Sequence, residues 1–225
     1  MPRVARSVAG GLVYHVHNWA NGRMRLFHDE DDLDGFERVL SEGLERQPVE
    51  LLTYCLMPHH WHLVVRPETD ESLGRFLAWV GVTHVRRHQE AHHRRGAGHL
   101  YQGRYKSFPV AEDDHFLLLC RYVEGNPLRA KKVERAQDWR WSGLWKRGHR
   151  NQLPPLGDWP VERPRNWTKL VNAGLSPAEL RHVRLCVRRG RPFGPTPWVL
   201  ETAARLGLGF TLRNRGRPPK SADQG

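Results

Sequence analysis

The sequence has few cysteines and no long hydrophobic run, and each absence narrows the class of protein. No stretch of about 18 apolar residues occurs, so no transmembrane helix is predicted. The first residues carry arginine without an apolar segment behind it, and we therefore expect no signal peptide and a soluble cytoplasmic protein. The three cysteines, Cys55, Cys120 and Cys186, are scattered among apolar neighbours. This predicts buried free thiols, and neither a disulfide framework nor a cysteine zinc site.

Acidic residues are also scarce relative to basic ones. Thirty-six Lys and Arg face 24 Asp and Glu, which gives a net charge of +12 and a pI near 10.3. A balance of this kind predicts a polyanionic partner, although charge alone does not say which polyanion. The length of 225 residues allows one or two domains with a real hydrophobic core.

Hydrophobic periodicity predicts alternating strands and helices over the first half of the chain. Two-residue alternation and short apolar runs predict strands at residues 11–17, 49–56, 61–65 and 104–110. Spacings of three and four residues predict helices at 31–45, 71–89 and 113–125. This order favours an α+β fold of the ferredoxin-like, split strand-helix-strand type, in which helices cover an antiparallel sheet.

The composition and hydrophobic periodicity of the sequence change after residue 146. Residues 147–165 are rich in proline and show no period, so we treat residues 147–175 as an irregular linker that follows a main domain over residues 1–146. Residues 176–225 are predicted to form a small helical appendage, with Ser176 as a helix cap. Between residues 181 and 220 there are ten Arg or Lys and one acidic residue, so this appendage is strongly basic.

The most distinctive local feature is the run His59-His60-Trp61-His62 at the start of a strand. Side chains alternate across a strand, so His60 and His62 project from one face and could hold a metal ion together. The alternative is a pair of hydrogen-bonded histidines in a chain that contains 14 histidines.

A second feature stands at the end of the third predicted helix. Tyr122 and Asn126 are four residues apart and share a face that differs from the apolar stripe. A lone tyrosine in such a place is ordinarily an amphipathic side chain at the edge of the core, so its context must decide. Tyr101 and Tyr105 are rivals for any role as a nucleophile, but neither has a helical partner equivalent to Asn126.

Several motifs along the chain occur in an order that is similar to one known family. In sequence order, they are Tyr14-His15-Val16 followed by Asn21-Gly22-Arg23, Met57-Pro58-His59-His60-Trp61-His62-Leu63, Tyr101-Gln102-Gly103-Arg104-Tyr105-Lys106-Ser107, Arg121-Tyr122-Val123-Glu124-Gly125-Asn126-Pro127-Leu128-Arg129-Ala130 and Trp139-Arg140-Trp141-Ser142. Over residues 10–145 the chain thus resembles the single-tyrosine HUH transposases, and most of all the REP-associated tyrosine transposase branch.

The resemblance implies a catalytic site within residues 1–146. Tyr122 would be the nucleophile, His60 and His62 the paired metal ligands, and Asn126 the third ligand of Mg²⁺ or Mn²⁺. His59 stands where the family would have asparagine, which leaves open which two of the three histidines bind. A phenol ionises only near pH 10, so attack on a phosphodiester needs help for the oxyanion and neutralisation of the phosphate charge.

Basic and aromatic residues predict contacts with an extended single strand. We expect Arg23, Arg104 and Lys106 to contact DNA, and a solvated basic face is the alternative. The tetrapeptide Arg-Gly-Arg-Pro occurs twice, and its two arginines are Arg189 and Arg191 in the first copy and Arg215 and Arg217 in the second. Arginines around a glycine can enter an A·T-rich minor groove, whereas the simpler interpretation is a pair of basic turns.

Together with these residues, the resemblance implies a metal-dependent endonuclease and strand transferase that acts on single-stranded or hairpin DNA at palindromic repeats. We expect no membrane partner, no small-molecule substrate and a monomer, with a dimer as the alternative. A domesticated DNA-binding regulator that does not cleave is the main rival function. A plain RNA-binding protein would explain the charge, but not His60, His62, Tyr122 and Asn126 together.

Overall fold

The computed structural model describes residues 8–22, 24–93, 98–149 and 153–213. Four strands form one antiparallel sheet in the order β2-β3-β1-β4. They are β1 (Val13–Trp19), β2 (Val49–Met57), β3 (His60–Pro67) and β4 (Lys106–Val110). The strand order and the antiparallel pairing confirm the predicted ferredoxin-like α+β fold.

Eight helices accompany the sheet within the described residues. They are α1 (Glu30–Arg46), α2 (Ser72–Ala91), α3 (Asp114–Glu124), α4 (Asn126–Arg129), α5 (Gly143–Gly148), α6 (Trp167–Asn172), α7 (Pro177–Arg189) and α8 (Thr196–Arg205). In this part of the chain no helix is both long enough and apolar enough to cross a bilayer.

The two faces of the sheet carry separate hydrophobic clusters. Helices α1 and α2 cover one face, where Phe36 and Phe76 pack against strand residues such as Trp61. Helices α3, α6 and α7 cover the other face, where Phe116 is among the residues that pack around Val64. The alternation along each strand thus separates Trp61 from His60 and His62, which project on the α3 side.

The predicted elements of the first half agree with the structure to within a few residues. Helix α1 begins at the N-cap Asp29, whose carboxylate accepts a hydrogen bond from the N–H of Asp32. Proline and histidine at positions 58 and 59 form the turn between β2 and β3. The cysteines are free and buried, as the sequence predicts.

The region after residue 146 is packed more closely onto the main domain than its composition indicates. The predicted linker contains α6, and Trp167 is only 1% exposed. Its indole Nε1–H donates a hydrogen bond of 2.6 Å to Glu124. Val183 and Cys186 of α7 are fully buried in the cluster that includes α3. The proline-rich segment therefore makes long-range contacts that no local pattern reveals.

Candidate functional site

The central strands β1 and β3 bring four histidines to one face of the sheet. His17 lies opposite His62 in the register, and Trp19 lies opposite His60. Residues that are directly opposite each other in an antiparallel pair project on the same face. His15 and His17 thus join the two predicted histidines, with ligand nitrogens of His15, His17 and His62 within 4.8 Å of one another.

These histidines are held in their neutral form. Burial lowers the pKa of His60 to about 3 and that of His17 to about 4. Burial also places the pKa values of His15 and His62 well below the ordinary value. A neutral imidazole has a lone pair available for a metal ion, so the environment favours the form that binds metals.

Helix α3 and the following helix α4 bring Tyr122 and Asn126 into contact with His62 and His60. The Tyr122 ring meets the His62 ring edge to face, with 5.8 Å between the centroids. The amide Nδ2 of Asn126 lies 3.1 Å from Nε2 of His60. The sequence predicts Tyr122 and Asn126 on one helical face; in the structure the helix breaks at Gly125 between them, and both side chains approach the paired histidines.

The end of α3 is anchored by Glu124, which turns away from Tyr122. Thr53 Oγ1 of β2 donates a 2.6 Å hydrogen bond to one carboxylate oxygen, and Trp167 donates to the other. Burial raises the pKa of Glu124, and these two donors oppose that effect. The contact to β2 fixes the last turn of α3 against the sheet and so fixes the direction of Tyr122.

Arg129 covers the Tyr122 ring from α4. Its guanidinium carbon lies 4.3 Å from the ring centroid, and its Nη2 donates a 2.6 Å hydrogen bond to the Tyr122 carbonyl. Its Nη1 is buried and has no hydrogen-bond partner among the described residues. From the sequence, Arg129 is only one residue of a motif, with no predicted role. Its position depends on the break at Gly125, which lets α4 turn back over Tyr122.

His59 lies apart from this group. It is exposed, and its Nδ1 lies 2.8 Å from the carbonyl oxygen of Met24. The pair that meets Asn126 and Tyr122 is therefore His60 and His62.

The rival tyrosines belong to the opposite side of the sheet. Tyr101 and Tyr105 both pack against the cluster beneath α1 and α2. The Tyr101 hydroxyl lies 2.6 Å from Nδ1 of His84 and accepts a hydrogen bond from the indole of Trp61. Burial raises the pKa of Tyr101, which disfavours its phenolate. Neither rival shares the face that carries His60 and His62.

The residues at the site can present donor atoms to a divalent cation. An octahedral ion with bonds of about 2.1 Å places neighbouring donor atoms about 3 Å apart. The Asn126 amide nitrogen lies 3.1 Å from His60 Nε2, which matches that spacing. If the side-chain amide is flipped, its oxygen takes the place of the nitrogen and becomes the ligand atom. Nδ1 of His62 lies 2.9 Å from Nε2 of His15, an arrangement that orients His62 and leaves its Nε2 for a metal.

An exposed aromatic side chain borders the histidines. Trp19 is 43% exposed, and its indole stacks on the His60 ring with 4.0 Å between the centroids. Lys106 of β4 lies opposite His17 in the register and is exposed. A flat exposed ring and a basic side chain are the features with which proteins ordinarily bind a single strand. Sequence reasoning missed Trp19, although its alternation with His17 and His15 was a signal.

A wide cleft of about 1350 Å³ opens next to this border, on the α2 side of the sheet. It is lined by the outer face of α2 and by residues 98–105, including Arg86, Arg104 and Tyr105. Asn18 also lines it, and the next residue, Trp19, stacks on His60. Because Asn18 and Trp19 are consecutive in β1, the cleft and the histidine site lie at the same end of that strand, on opposite faces of the sheet.

The remaining predicted DNA contacts fall in different places. Arg104 is exposed on the cleft. Arg23, Arg215 and Arg217 lie outside the described residues.

The first Arg-Gly-Arg-Pro copy is not a free extended strip. Gly190 ends α7 in the left-handed conformation with φ of 69°, and the Arg189 guanidinium donates to the carbonyl of Arg213. Beyond Arg191, Phe193 is fully buried and pairs with Val110 at the edge of β4. The glycine serves a helix end here, because the following residues are fixed in the core.

The chain is similar to known transposases. The family described as "Transposase IS200 like" matches residues 9–126. A curated Haemophilus influenzae protein described as a REP-associated tyrosine transposase is 23% identical over 123 residues, covering 51% of this chain and 69% of its own length. A solved REP-associated tyrosine transposase bound to a REP hairpin superposes with a TM-score of 0.54 at 17% identity, covering 70% of this chain and 93% of its own. At that identity the solved structure supports the fold alone.

Proposed function

Because the chain belongs to the IS200-like transposase family, we propose that it is a metal-dependent single-strand DNA endonuclease and strand transferase. In this proposal Tyr122 attacks the DNA, and His60, His62 and Asn126 hold Mg²⁺ or Mn²⁺. The observation that carries it is the convergence of Tyr122 and Asn126 on His62 and His60 at one face of the sheet.

The reaction is a transesterification that starts at the Tyr122 hydroxyl. Its oxygen forms a new bond to the scissile phosphorus, while the bond from phosphorus to the 3′ oxygen breaks. The phenolic proton is lost, and the departing 3′ oxygen gains a proton to become a hydroxyl. The 5′ phosphate stays on Tyr122 as an ester, and attack by a 3′ hydroxyl on such an ester rejoins strands without ATP.

The protein's own residues prepare this step. Arg129 lies over the ring that becomes a phenolate and then a phosphate ester, so its charge stabilises the negative charge that develops there. Glu124 holds the end of α3 and thus keeps the Tyr122 hydroxyl at a fixed approach. A cation held by His60, His62 and Asn126 would polarise the phosphate and neutralise part of its charge.

We further propose that the DNA strand is unpaired at the site and passes from Trp19 toward the cleft. Trp19 offers a stacking surface for a base next to the scissile phosphate. Arg86 and Arg104 line the cleft and would meet the phosphates that follow. A hairpin partner is supported by the similar protein solved with a REP hairpin. The basic appendage, including Arg189 and Arg191, would add affinity along the backbone.

A denaturing gel tests this proposal. Purified protein is mixed with labelled single-stranded repeat hairpins from its own genome, with Mg²⁺, with Mn²⁺ or with a chelator. We expect a covalent protein–DNA band that needs the metal and is absent with a fully paired duplex. His60→Ala and His62→Ala should abolish the band. Tight hairpin binding without any adduct under either metal would instead identify the non-cleaving regulator.

A further inference from the structure

A second group of metal-binding side chains lies on the other side of the sheet, away from the histidines of the candidate active site. It comprises His28 before α1, Asp32 in the first turn of α1, and His88 and His92 near the end of α2. Each offers one ligand atom, and these atoms all lie within 4.8 Å of one another.

The backbone of both helices fixes the members of this group. His88 lies in the last turn of α2 and His92 is the C-cap residue four positions later, with 4.5 Å between their ring centroids. The His28 ring lies 4.7 Å from the His92 ring. Asp32 accepts a 2.8 Å hydrogen bond from the N–H of His28, while its own N–H is bonded to the helix cap. The two carboxylate oxygens of Asp32 lie 2.8 and 2.9 Å from Nε2 of His92.

Three imidazoles and one carboxylate form a typical donor set for zinc. Zinc takes nitrogen and oxygen ligands at about 2.0–2.2 Å in a tetrahedron, so its donor atoms lie about 3.4 Å apart. Donor atoms within 4.8 Å need to move inward by less than about 1 Å each, which small side-chain rotations supply. The end of α2 also presents the negative end of a helix dipole to the cation.

We propose that His28, Asp32, His88 and His92 bind one Zn²⁺ ion that joins the start of α1 to the end of α2. This ion would stabilise the fold and would be distinct from the ion proposed at His60 and His62. Residues that line the cleft follow α2 in the chain, and backbone hydrogen bonds tie two of them to β1 and to the residues just after it. The backbone N–H of Gln102 donates to the carbonyl of Trp19, and that of Asn21 donates to the carbonyl of Leu100. A zinc ion at the end of α2 would thus help to hold one wall of the cleft in place.

Zinc titration against a chromogenic chelator tests the site in the full chain. A His60→Ala/His62→Ala background removes metal binding at the candidate active site. We expect this protein to bind about one Zn²⁺ per chain, and its thermal midpoint to rise by about 5–10 °C at a hundredfold excess over the dissociation constant. Adding His88→Ala or His92→Ala should weaken zinc binding at least tenfold and, at the same zinc concentration, cut the rise to about half or less.

The matched control is His93→Asn, next to His92 in the chain but outside the group. His93 is exposed and has φ of 50°, a conformation that asparagine tolerates. This variant should bind zinc as its parent does. If the background or the His88 variant fails to fold, the exposed His28→Ala in the otherwise unmodified chain should lose one zinc equivalent. Absence of stoichiometric zinc in the background protein, or zinc binding that survives removal of these histidines, would overturn the proposal.

Discussion

Replacing Arg129 with methionine tests the idea that this residue stabilises charge on Tyr122. Methionine keeps an apolar stem of similar length and removes only the guanidinium. The guanidinium carbon of Arg129 lies 4.3 Å from the Tyr122 ring centroid, where it would face the phenolate and then the phosphate ester of the proposed reaction. We therefore expect a slower covalent step in a protein that still folds and binds hairpin DNA.

The size of the effect follows from the distance. Two unit charges about 4 Å apart are worth about 4 kcal/mol at an effective dielectric constant of about 20. Each step of about 1.4 kcal/mol changes a rate tenfold, so a full charge would give nearly three orders of magnitude. Because the charge is only partly developed in the transition state, we expect adduct formation to slow by about 10²-fold to 10³-fold. Arg129→Lys should recover part of the loss.

The assay is the single-turnover rate of adduct formation at saturating hairpin and metal, corrected for the folded fraction. Arg121→Met is the matched control, because Arg121 precedes Tyr122 but points to Glu179 and the carbonyl of Gly174. It should cost some stability and leave the corrected rate nearly unchanged. Equal rates for Arg129→Met and the unmodified protein would refute the role of Arg129. An equal slowing in Arg121→Met would show a general effect of disturbing α3.

Two further predictions concern DNA binding and stability. Trp19→Ala should weaken hairpin binding about tenfold or more in a fluorescence titration, because stacking is worth about 1–3 kcal/mol per base. Trp145→Ala, which removes another Trp stacked on a histidine, should not weaken it. Lys146→Met leaves the buried Glu37 without the cation that lies 2.8 Å away, at a cost of about 3–5 kcal/mol near pH 8. Burial already raises the pKa of Glu37, and loss of the Lys146 cation raises it further. At low pH, Glu37 is protonated in the folded variant and the loss of stability is small. The loss grows as the pH rises through the folded-state pKa of Glu37. Urea unfolding at about pH 5 and about pH 8 checks this, and equal costs at both would contradict it.

The first half of the fold was predictable because its signals are local. The apolar residues of α1 and α2 repeat at helical spacing, and the alternation in β3 separates His60 from Trp61. These patterns fix which side of each element is buried. The register between β1 and β3 follows once the sheet forms, and it brings His17 opposite His62.

The features that sequence reasoning missed depend on contacts between distant residues. Trp167 is buried because it reaches Glu124, and no period in a proline-rich segment signals that contact. Gly190 looks like the hinge of an extended basic strip, but it ends α7 because Phe193 is fixed beside β4. Arg129 takes its place over Tyr122 only because the chain turns between α3 and α4.

The most direct test of the central claim is to find which tyrosine carries the DNA. The adduct is trimmed with nuclease, digested with trypsin and analysed by mass spectrometry. Cleavage after Arg121 and Arg129 releases Tyr122 in a peptide of its own, separate from the peptides that contain Tyr101 and Tyr105. We predict a nucleotide attached through its 5′ phosphate to the peptide spanning 122–129, and no adduct at all from Tyr122→Phe. A modified peptide that contains Tyr101 or Tyr105, or an adduct that persists in Tyr122→Phe, would contradict the assignment of Tyr122 as the nucleophile.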